Sequence, residues 1–160
     1  MATKRILCLP KDNWRAGCLR SAIESAGAAI TDDYATAEGL VWSDQSKASD
    51  LPSILTQCPK LEWVQLPFAG VEPFMDMIQA APPQINFTCG KGVYSRPVAE
   101  QILMLALSGF RGLGTYARAT TWSQPEGRNL YGSRVTILGG GGIAEELIKM
   151  LKPFDCFVTV

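Results

Sequence analysis

The chain has 160 residues, of which 47% are hydrophobic and 19% charged, with a formal net charge of zero. This composition is typical of a folded protein and excludes a disordered one, and without a basic run nucleic acid is not expected as a partner. The sequence contains no histidine, which excludes Ser-His-Asp or Cys-His catalysis and histidine-based metal sites, so we predict no metal.

Cysteine usage and hydropathy indicate the compartment. There are five cysteines and no Cys-x-x-Cys pair: Cys8, Cys18, Cys58, Cys89 and Cys156. An odd number in apolar surroundings predicts buried, reduced thiols in a cytoplasmic protein. The longest apolar segment, residues 98–110, is interrupted by Glu100 and Gln101 and is shorter than the roughly 20 residues that span a bilayer. We therefore expect no secretion signal and no membrane association.

The first 90 residues alternate short apolar runs with helical patterns. The apolar runs predict strands over 5–9, 28–31, 39–42, 61–66 and 85–89. Helices are predicted from Trp14 to Ala26, over 51–55 and over 72–79. We expect Asp12 and Asp50 to cap the first two, and Gly27 to end the first. This alternation predicts a parallel sheet covered on both faces by helices.

The pattern changes after Gly90. A loop leads to Pro97, a favourable first residue for a helix, and a long helix is predicted over about 97–118. Because that helix is apolar on most faces, we expect it to be buried between two masses of protein. A polar loop over 120–129 follows, and a strand over 134–138 then begins a second sheet.

Four consecutive glycines, 139–142, join that strand to a helical pattern over 143–151 and a last strand over 157–160. They permit two registers of the dinucleotide-binding fingerprint. In the first register, Gly139 makes the tight turn, Gly141 lets the backbone approach a pyrophosphate, and Ala144 is the third small position. The second register places Glu145 at that close contact, where a charged side chain does not fit, so we favour the first.

Two alternatives for the glycine turn stay open: a turn that serves only packing, and an S-adenosylmethionine site of a methyltransferase. A Walker phosphate loop is excluded because no Gly-Lys-Ser/Thr follows. The acidic residue that binds the ribose of NAD lies about 20 residues after the glycines. That position falls at or beyond Val160, so the choice between NAD and NADP stays open.

Four segments in this order resemble the D-isomer-specific 2-hydroxyacid dehydrogenases, which include glyoxylate and hydroxypyruvate reductases and phosphoglycerate dehydrogenases. The segments are Leu61-Glu-Trp-Val-Gln-Leu-Pro-Phe-Ala-Gly-Val-Glu72, Tyr94-Ser-Arg-Pro-Val-Ala-Glu100, Leu130-Tyr-Gly-Ser-Arg-Val-Thr-Ile-Leu138 and the glycine turn. The resemblance implies an α/β fold in three parts. They are a flavodoxin-like parallel-sheet substrate domain over 1–96, an interdomain crossing helix over 97–118, and the first β-α-β unit of a Rossmann NAD(P)-binding domain over 119–160.

The resemblance also implies roles for individual residues. The Ala-Gly-Val turn of the family gives backbone N–H groups to the substrate carboxylate, which assigns that role to Ala69 and Gly70, with Phe68 facing the substrate side chain. Backbone donors beside a glycine at a strand end do suit an anion, although an ordinary strand-to-helix turn is the alternative. Tyr94 resembles a substrate-facing position, with a solvent-facing loop tyrosine as the alternative. Val98 begins the crossing helix near where a nicotinamide would lie.

NAD or NADP is the implied cofactor. Its binding residues, besides Val98, are those of the glycine turn: Gly139, Gly141, Gly142 and Ile143. Arg96 is a candidate anion clamp, but a solvated loop arginine is the more frequent case.

The family's chemistry also requires an arginine, a glutamate and a histidine, which normally come from later in the cofactor domain. We therefore assign no catalytic residue and interpret the chain as the N-terminal part of such an enzyme, inactive by itself. The complete enzyme would transfer hydride between NAD(P)H and a 2-oxo acid such as glyoxylate or hydroxypyruvate, and would be a homodimer. Two alternatives are a non-catalytic NAD(P)-fold protein that pairs with a full-length dehydrogenase, and a free-standing flavodoxin-like binding domain.

Overall fold

The computed structural model describes residues 3–160. Its strands are β1 (Arg5–Leu9), β2 (Ala29–Ile30), β3 (Gly39–Trp42), β4 (Trp63–Gln65), β5 (Asn86–Thr88), β6 (Arg134–Thr136) and β7 (Phe157–Thr159). Its α-helices are α1 (Ala16–Ser25), α2 (Leu51–Gln57), α3 (Met75–Ala80), α4 (Ser95–Phe110), α5 (Leu113–Tyr116) and α6 (Gly142–Leu151). The chain divides into two compact units, the first ending at Lys91 and the second running from Gly92 to Val160. No helix among the described residues is long and apolar enough to cross a membrane.

The first unit is built on a five-stranded parallel sheet in the order β2-β1-β3-β4-β5. This confirms the predicted α/β class, and each predicted strand contains an observed one. From β1 the chain moves outward to β2, and then returns to place β3 on the other side of β1. The strand order therefore reverses between β1 and β3, and in open α/β sheets ligands bind outside the carboxyl ends of the strands at such a point.

One face of this sheet carries the core of the first unit. Leu7, Leu40 and Val64 are paired in register on adjacent strands and are fully buried. Leu51 at the start of α2 and Phe74 just before α3 pack against them. Burying a side chain of this size contributes about 1.5–3 kcal/mol each. This core fixes the strand ends and the loops that follow them.

The predicted N-cap of α1 is wrong. The helix begins at Ala16 because Asn13, not Asp12, organises the preceding turn: its Oδ1 accepts a hydrogen bond of 2.9 Å from the N–H of Arg15. Asp12 instead forms an ion pair of 2.8 Å with Lys47. The end of the helix is as predicted, since Gly27 has a φ of +85°.

The predicted cap of α2 is wrong as well. Asp50 precedes the helix but already has helical dihedral angles, and its side chain makes no capping hydrogen bond. A 3₁₀ turn over Gln45–Asp50 runs directly into α2, so the true start lies earlier. There Asp44 is the cap, accepting a hydrogen bond of 2.9 Å from the N–H of Ser46.

The second unit contains a two-stranded parallel sheet of β6 and β7 connected through α6. This is the predicted first β-α-β unit. Helix α4 packs against α6, and the buried residues of the unit's core are Ala99, Leu130, Leu147 and Leu151.

The long helix differs from its prediction over 97–118. Helix α4 ends at Phe110, and Gly112, with a φ of +62°, separates it from the short α5. Within the second unit the main helix partner of α4 is α6. Consequently Ala99 is its buried residue, whereas the Leu105 side chain on another face is 58% exposed.

The five cysteines are all free, but not all buried. Cys8 and Cys58 are buried, and burial raises the pKa of both thiols. Cys18 is exposed on α1, contrary to the prediction, because its helical position faces away from the sheet. Cys89 and Cys156 are half-buried.

Candidate functional site

A turn at the carboxyl end of β4 holds the predicted substrate residues of the first unit. Phe68 and Gly70 are half-buried and Ala69 is exposed. The carbonyl of Phe68 accepts a hydrogen bond of 2.9 Å from the N–H of Gly90, which ties the turn to the end of β5. Among residues 3–160, no acceptor is found for the N–H groups of Ala69 and Gly70. These two donors are therefore available to an anion.

The carboxylate of Glu72 lies beside this turn. A Cβ atom added to Gly70 would stand 2.7 Å from Glu72 Oε2, so only glycine fits without displacing that side chain. A negative charge at this place opposes a bound carboxylate. The turn thus offers backbone donors with one unfavourable charge next to them.

Arg15 is a residue of this edge that the sequence analysis missed. Its guanidinium carbon lies 5.1 Å from the ring centroid of Phe68 and 4.7 Å from that of Trp14. Its Nη1 donates a hydrogen bond of 3.3 Å to the carbonyl of Ser43, which follows β3. Its place shortly after β1 was a usable signal, because loops after parallel strands meet at one edge of the sheet.

Two buried polar atoms lie where β3 ends. The Oγ of Ser43 and the Nε1 of Trp42 have no hydrogen-bond partner within the described residues. Ser43 is only 1% exposed, and its carbonyl also accepts a hydrogen bond from Asn13. Because buried polar groups are normally paired, such orphaned groups call for an explanation.

The glycine turn of the second unit has the geometry of the first register. Gly139 has a φ of +106°, which side-chain-bearing residues rarely adopt. Gly141 is the N-cap, and the first hydrogen bond back to it comes from the N–H of Glu145 at 3.1 Å. Ala144 is buried whereas Glu145 is exposed, which is the reverse of what the second register requires.

The surroundings of Gly141 and Gly142 differ. A Cβ atom at Gly141 would meet nothing within 4 Å, so its backbone faces open space. At Gly142 a Cβ atom would stand 2.7 Å from Ser95 Oγ, so this glycine lets α6 approach the start of α4. The N–H groups of Gly142, Ile143 and Ala144 have no intrahelical acceptor and are therefore available to an anion.

The remaining predicted residues lie near the start of α4. Tyr94 precedes the helix and is 47% exposed, and its carbonyl accepts a hydrogen bond of 3.0 Å from the N–H of Val98. Val98 is three residues after Ser95 and so shares the helix face that approaches Gly142. Val98 and the glycine turn both belong to the second unit, whereas Phe68, Ala69 and Gly70 belong to the first.

Arg96 forms an ion pair with a carboxylate. Its Nε lies 3.4 Å from Glu146 Oε2 on α6, and its side chain is 83% exposed. Hydrogen bonding from Lys149, with a smaller contribution from Arg96, lowers the pKa of Glu146. Arg96 is thus a solvated, paired arginine rather than a clamp.

The two units have the features of a nucleotide-dependent α/β protein. The first is a parallel α/β unit with free backbone N–H groups at a strand end, and the second is a β-α-β unit whose glycine turn has the geometry of the dinucleotide-binding fingerprint. Solved structures agree. A D-isomer-specific 2-hydroxyacid dehydrogenase family protein from Aeromonas salmonicida is 23% identical, with a TM-score of 0.74 over 98% of this chain and 53% of its own. A D-isomer-specific 2-hydroxyacid dehydrogenase from Xanthobacter autotrophicus, in complex with NADPH and MES, is 19% identical, with a TM-score of 0.71 over 98% and 52%. The chain therefore has the fold predicted from the resemblance.

Sequence comparison is less specific. No family model matches the chain. An uncharacterized protein from the proB 3′ region of Corynebacterium melassecola is 28% identical over 142 residues, covering 84% of this chain and 44% of its own length. The chain thus spans about half the length of the proteins it matches.

Proposed function

We propose that the chain is part of a D-isomer-specific 2-hydroxyacid dehydrogenase, which transfers hydride between NAD(P)H and a 2-oxo acid. One observation supports this proposal. In a chain with the fold of these enzymes, the glycine turn leaves the N–H groups at the start of α6 free, and the Ala69–Gly70 turn has free backbone N–H groups as well. Glyoxylate and hydroxypyruvate are the substrates that we favour, and the cytoplasm is the expected compartment.

The second unit would hold NAD or NADP, which supplies the hydride. The N–H groups of Gly142 and Ile143, at the positive end of the α6 dipole, would bind the pyrophosphate. Gly139 shapes the turn and Gly141 leaves the approach open. Val98 would pack against the nicotinamide. The Xanthobacter enzyme with NADPH supports a nicotinamide cofactor over S-adenosylmethionine.

The first unit would bind the 2-oxo acid. The N–H groups of Ala69 and Gly70 would hold its carboxylate, and the half-buried ring of Phe68 would form a wall against the rest of the molecule. Tyr94 is a further candidate for substrate contact. The backbone N–H groups and the Phe68 ring would bind and orient the acid, and neither is a proton donor for the carbonyl.

Reduction of a 2-oxo acid requires a proton donor and a cation that polarises the carbonyl. The family uses a histidine, oriented by a glutamate, and an arginine, and the present sequence has no histidine. We therefore assign no catalytic residue and expect no turnover by these 160 residues alone.

The complete enzyme would be a homodimer. Apolar side chains along α4 and α5 are exposed, among them Leu105 at 58% and Leu113 at 54%. The same surface supports a second candidate, a non-catalytic protein that pairs with a full-length dehydrogenase. Co-purification with a histidine-containing relative would favour that candidate.

Calorimetric titration with NADPH and NADH tests the proposal. We expect at most weak binding by these 160 residues, and its loss in Gly141→Val because the valine side chain occupies the space in front of the turn. Gly140→Ala is the matched control, since its Cβ atom would make only an ordinary contact of 3.6 Å with Val160. Equal binding by both variants would contradict the proposal.

A further inference from the structure

Arg15 carries a charge that the proposed function leaves unused. Its guanidinium lies over the ring of Phe68, at 5.1 Å, and its side chain makes one hydrogen bond, to the carbonyl of Ser43. A guanidinium has five N–H donors. Most of the Arg15 donors therefore have no acceptor in the part of the chain that the structure describes.

Other cations near the same edge are neutralised. Lys11, which follows β1, pairs with Asp32 at 2.9 Å. Lys47, which follows β3, pairs with Asp12 at 2.8 Å. Within residues 3–160 no carboxylate forms an ion pair with Arg15. Its positive charge is held in place by aromatic contacts and is available to a ligand.

The location is that of a ligand site. Arg15 follows β1 and is hydrogen-bonded to the residue after β3, so it stands where the strand order reverses. The hydroxyl of Ser43 is buried at the same place and has no partner. An uncompensated guanidinium at the point where the strand order reverses is suited to binding an anion.

We propose that Arg15 determines substrate specificity by binding a second anionic group, a carboxylate or a phosphate, at the end of the substrate remote from the 2-oxo acid. This rests on the proposed function, since it takes Ala69 and Gly70 as the site of the first carboxylate. Phe68 links the two positions, because its ring lies 5.1 Å from the Arg15 guanidinium carbon and it directly precedes Ala69 in the chain. The planar guanidinium suits either anion because it binds both in a bidentate manner.

Matched pairs of acids test the proposal on the full 160-residue chain. D-Lactate and D-malate differ by one carboxylate, and D-glycerate and 3-phospho-D-glycerate differ by one phosphate. The signals to follow by NMR are the amides of Ala69 and Gly70 and the Nε–H of Arg15. We expect at least one acid with the second anionic group to bind about tenfold more tightly than its partner without it, and the pair that shows the gain identifies the anion.

Variants of Arg15 distinguish an effect of its charge from an effect on the folding of the first unit. Arg15→Gln should lose the preference, and Arg15→Lys should keep part of it. Arg20→Gln is the matched control, because Arg20 lies on α1 and near Asp32, at 3.9 Å. Unchanged amide shifts elsewhere in Arg15→Gln show that the unit still folds.

Two results would overturn the inference, and they differ in what they say about the proposed function. In one result, D-lactate or D-glycerate shifts the amides of Ala69 and Gly70, but D-malate and 3-phospho-D-glycerate bind no more tightly, or Arg15→Gln still binds them more tightly. Arg15 then has no specificity role and the proposed function stands. If none of the four acids shifts this turn, both the inference and the assignment of the carboxylate site fail.

Discussion

Individual residues decide what each turn can bind. At the glycine turn, Gly139 adopts a positive φ, and the buried Ala144 next to the exposed Glu145 fixes the register. This detail was predictable, because a charged side chain does not fit between a helix and a strand. Arg15 was not predicted, since its significance comes from Phe68 and Ser43, which are distant in sequence.

Glu72 should weaken anion binding at the Ala69–Gly70 turn, because its carboxylate lies next to Gly70. We predict that Glu72→Gln increases the affinity for D-lactate about two- to fivefold, as expected for one partly screened charge. Amide shifts of Ala69 and Gly70 during titration measure this. Asp76→Asn on α3 is the control for net charge, and an equal gain there would show that the effect is not local.

Thiol reactivity should separate the cysteines. Cys18 is exposed, whereas burial raises the pKa of Cys8 and Cys58 and leaves less thiolate at neutral pH. We predict that Cys18 reacts first with a thiol reagent in the native protein and that Cys8 and Cys58 react only on unfolding. Mass spectrometry of the modified chain measures the order. Early modification of Cys8 would contradict the packing of β1.

Secondary-structure elements followed the apolar pattern, but the starts of α1 and α2 did not follow the local capping rules. The strands were predictable because short apolar runs between turn residues leave few alternatives. The caps were not, since Asp12 is taken by Lys47, and Asp50 lies inside a helical turn that begins earlier. The exposure of one face of α4 could not be predicted either, because the sequence shows that a helix is apolar but not which elements cover it.

Two glycine substitutions should have opposite effects on the first unit. In Gly39→Ala the new Cβ atom would meet Ile6 Cδ1 at 2.6 Å and Trp63 Cε3 at 3.0 Å, so we predict a loss of ~1–3 kcal/mol in the free energy of unfolding. Gly17→Ala, with nothing within 4 Å on α1, should gain about 1 kcal/mol from helix propensity. Urea unfolding measures both, and similar effects of the two changes would refute the tight packing on β3.

The chain as a whole combines two units with cores of unequal size. The main buried cluster of the first unit has twelve residues and that of the second has four, which predicts lower local stability for the second. We therefore expect slower amide hydrogen exchange in β1, β3 and β4 than in β6 and β7. Equally slow exchange across residues 135–160 would contradict this difference.

The most direct test of the account is NMR mapping of the 160-residue chain with NADP⁺ and NAD⁺, followed by glycolate. The account predicts cofactor-induced shifts at the amides of Gly142, Ile143 and Ala144, and glycolate-induced shifts at Ala69 and Gly70. Shifts confined to other parts of the chain, or none with any of these ligands, would contradict a 2-hydroxyacid dehydrogenase assignment and leave only the shared fold.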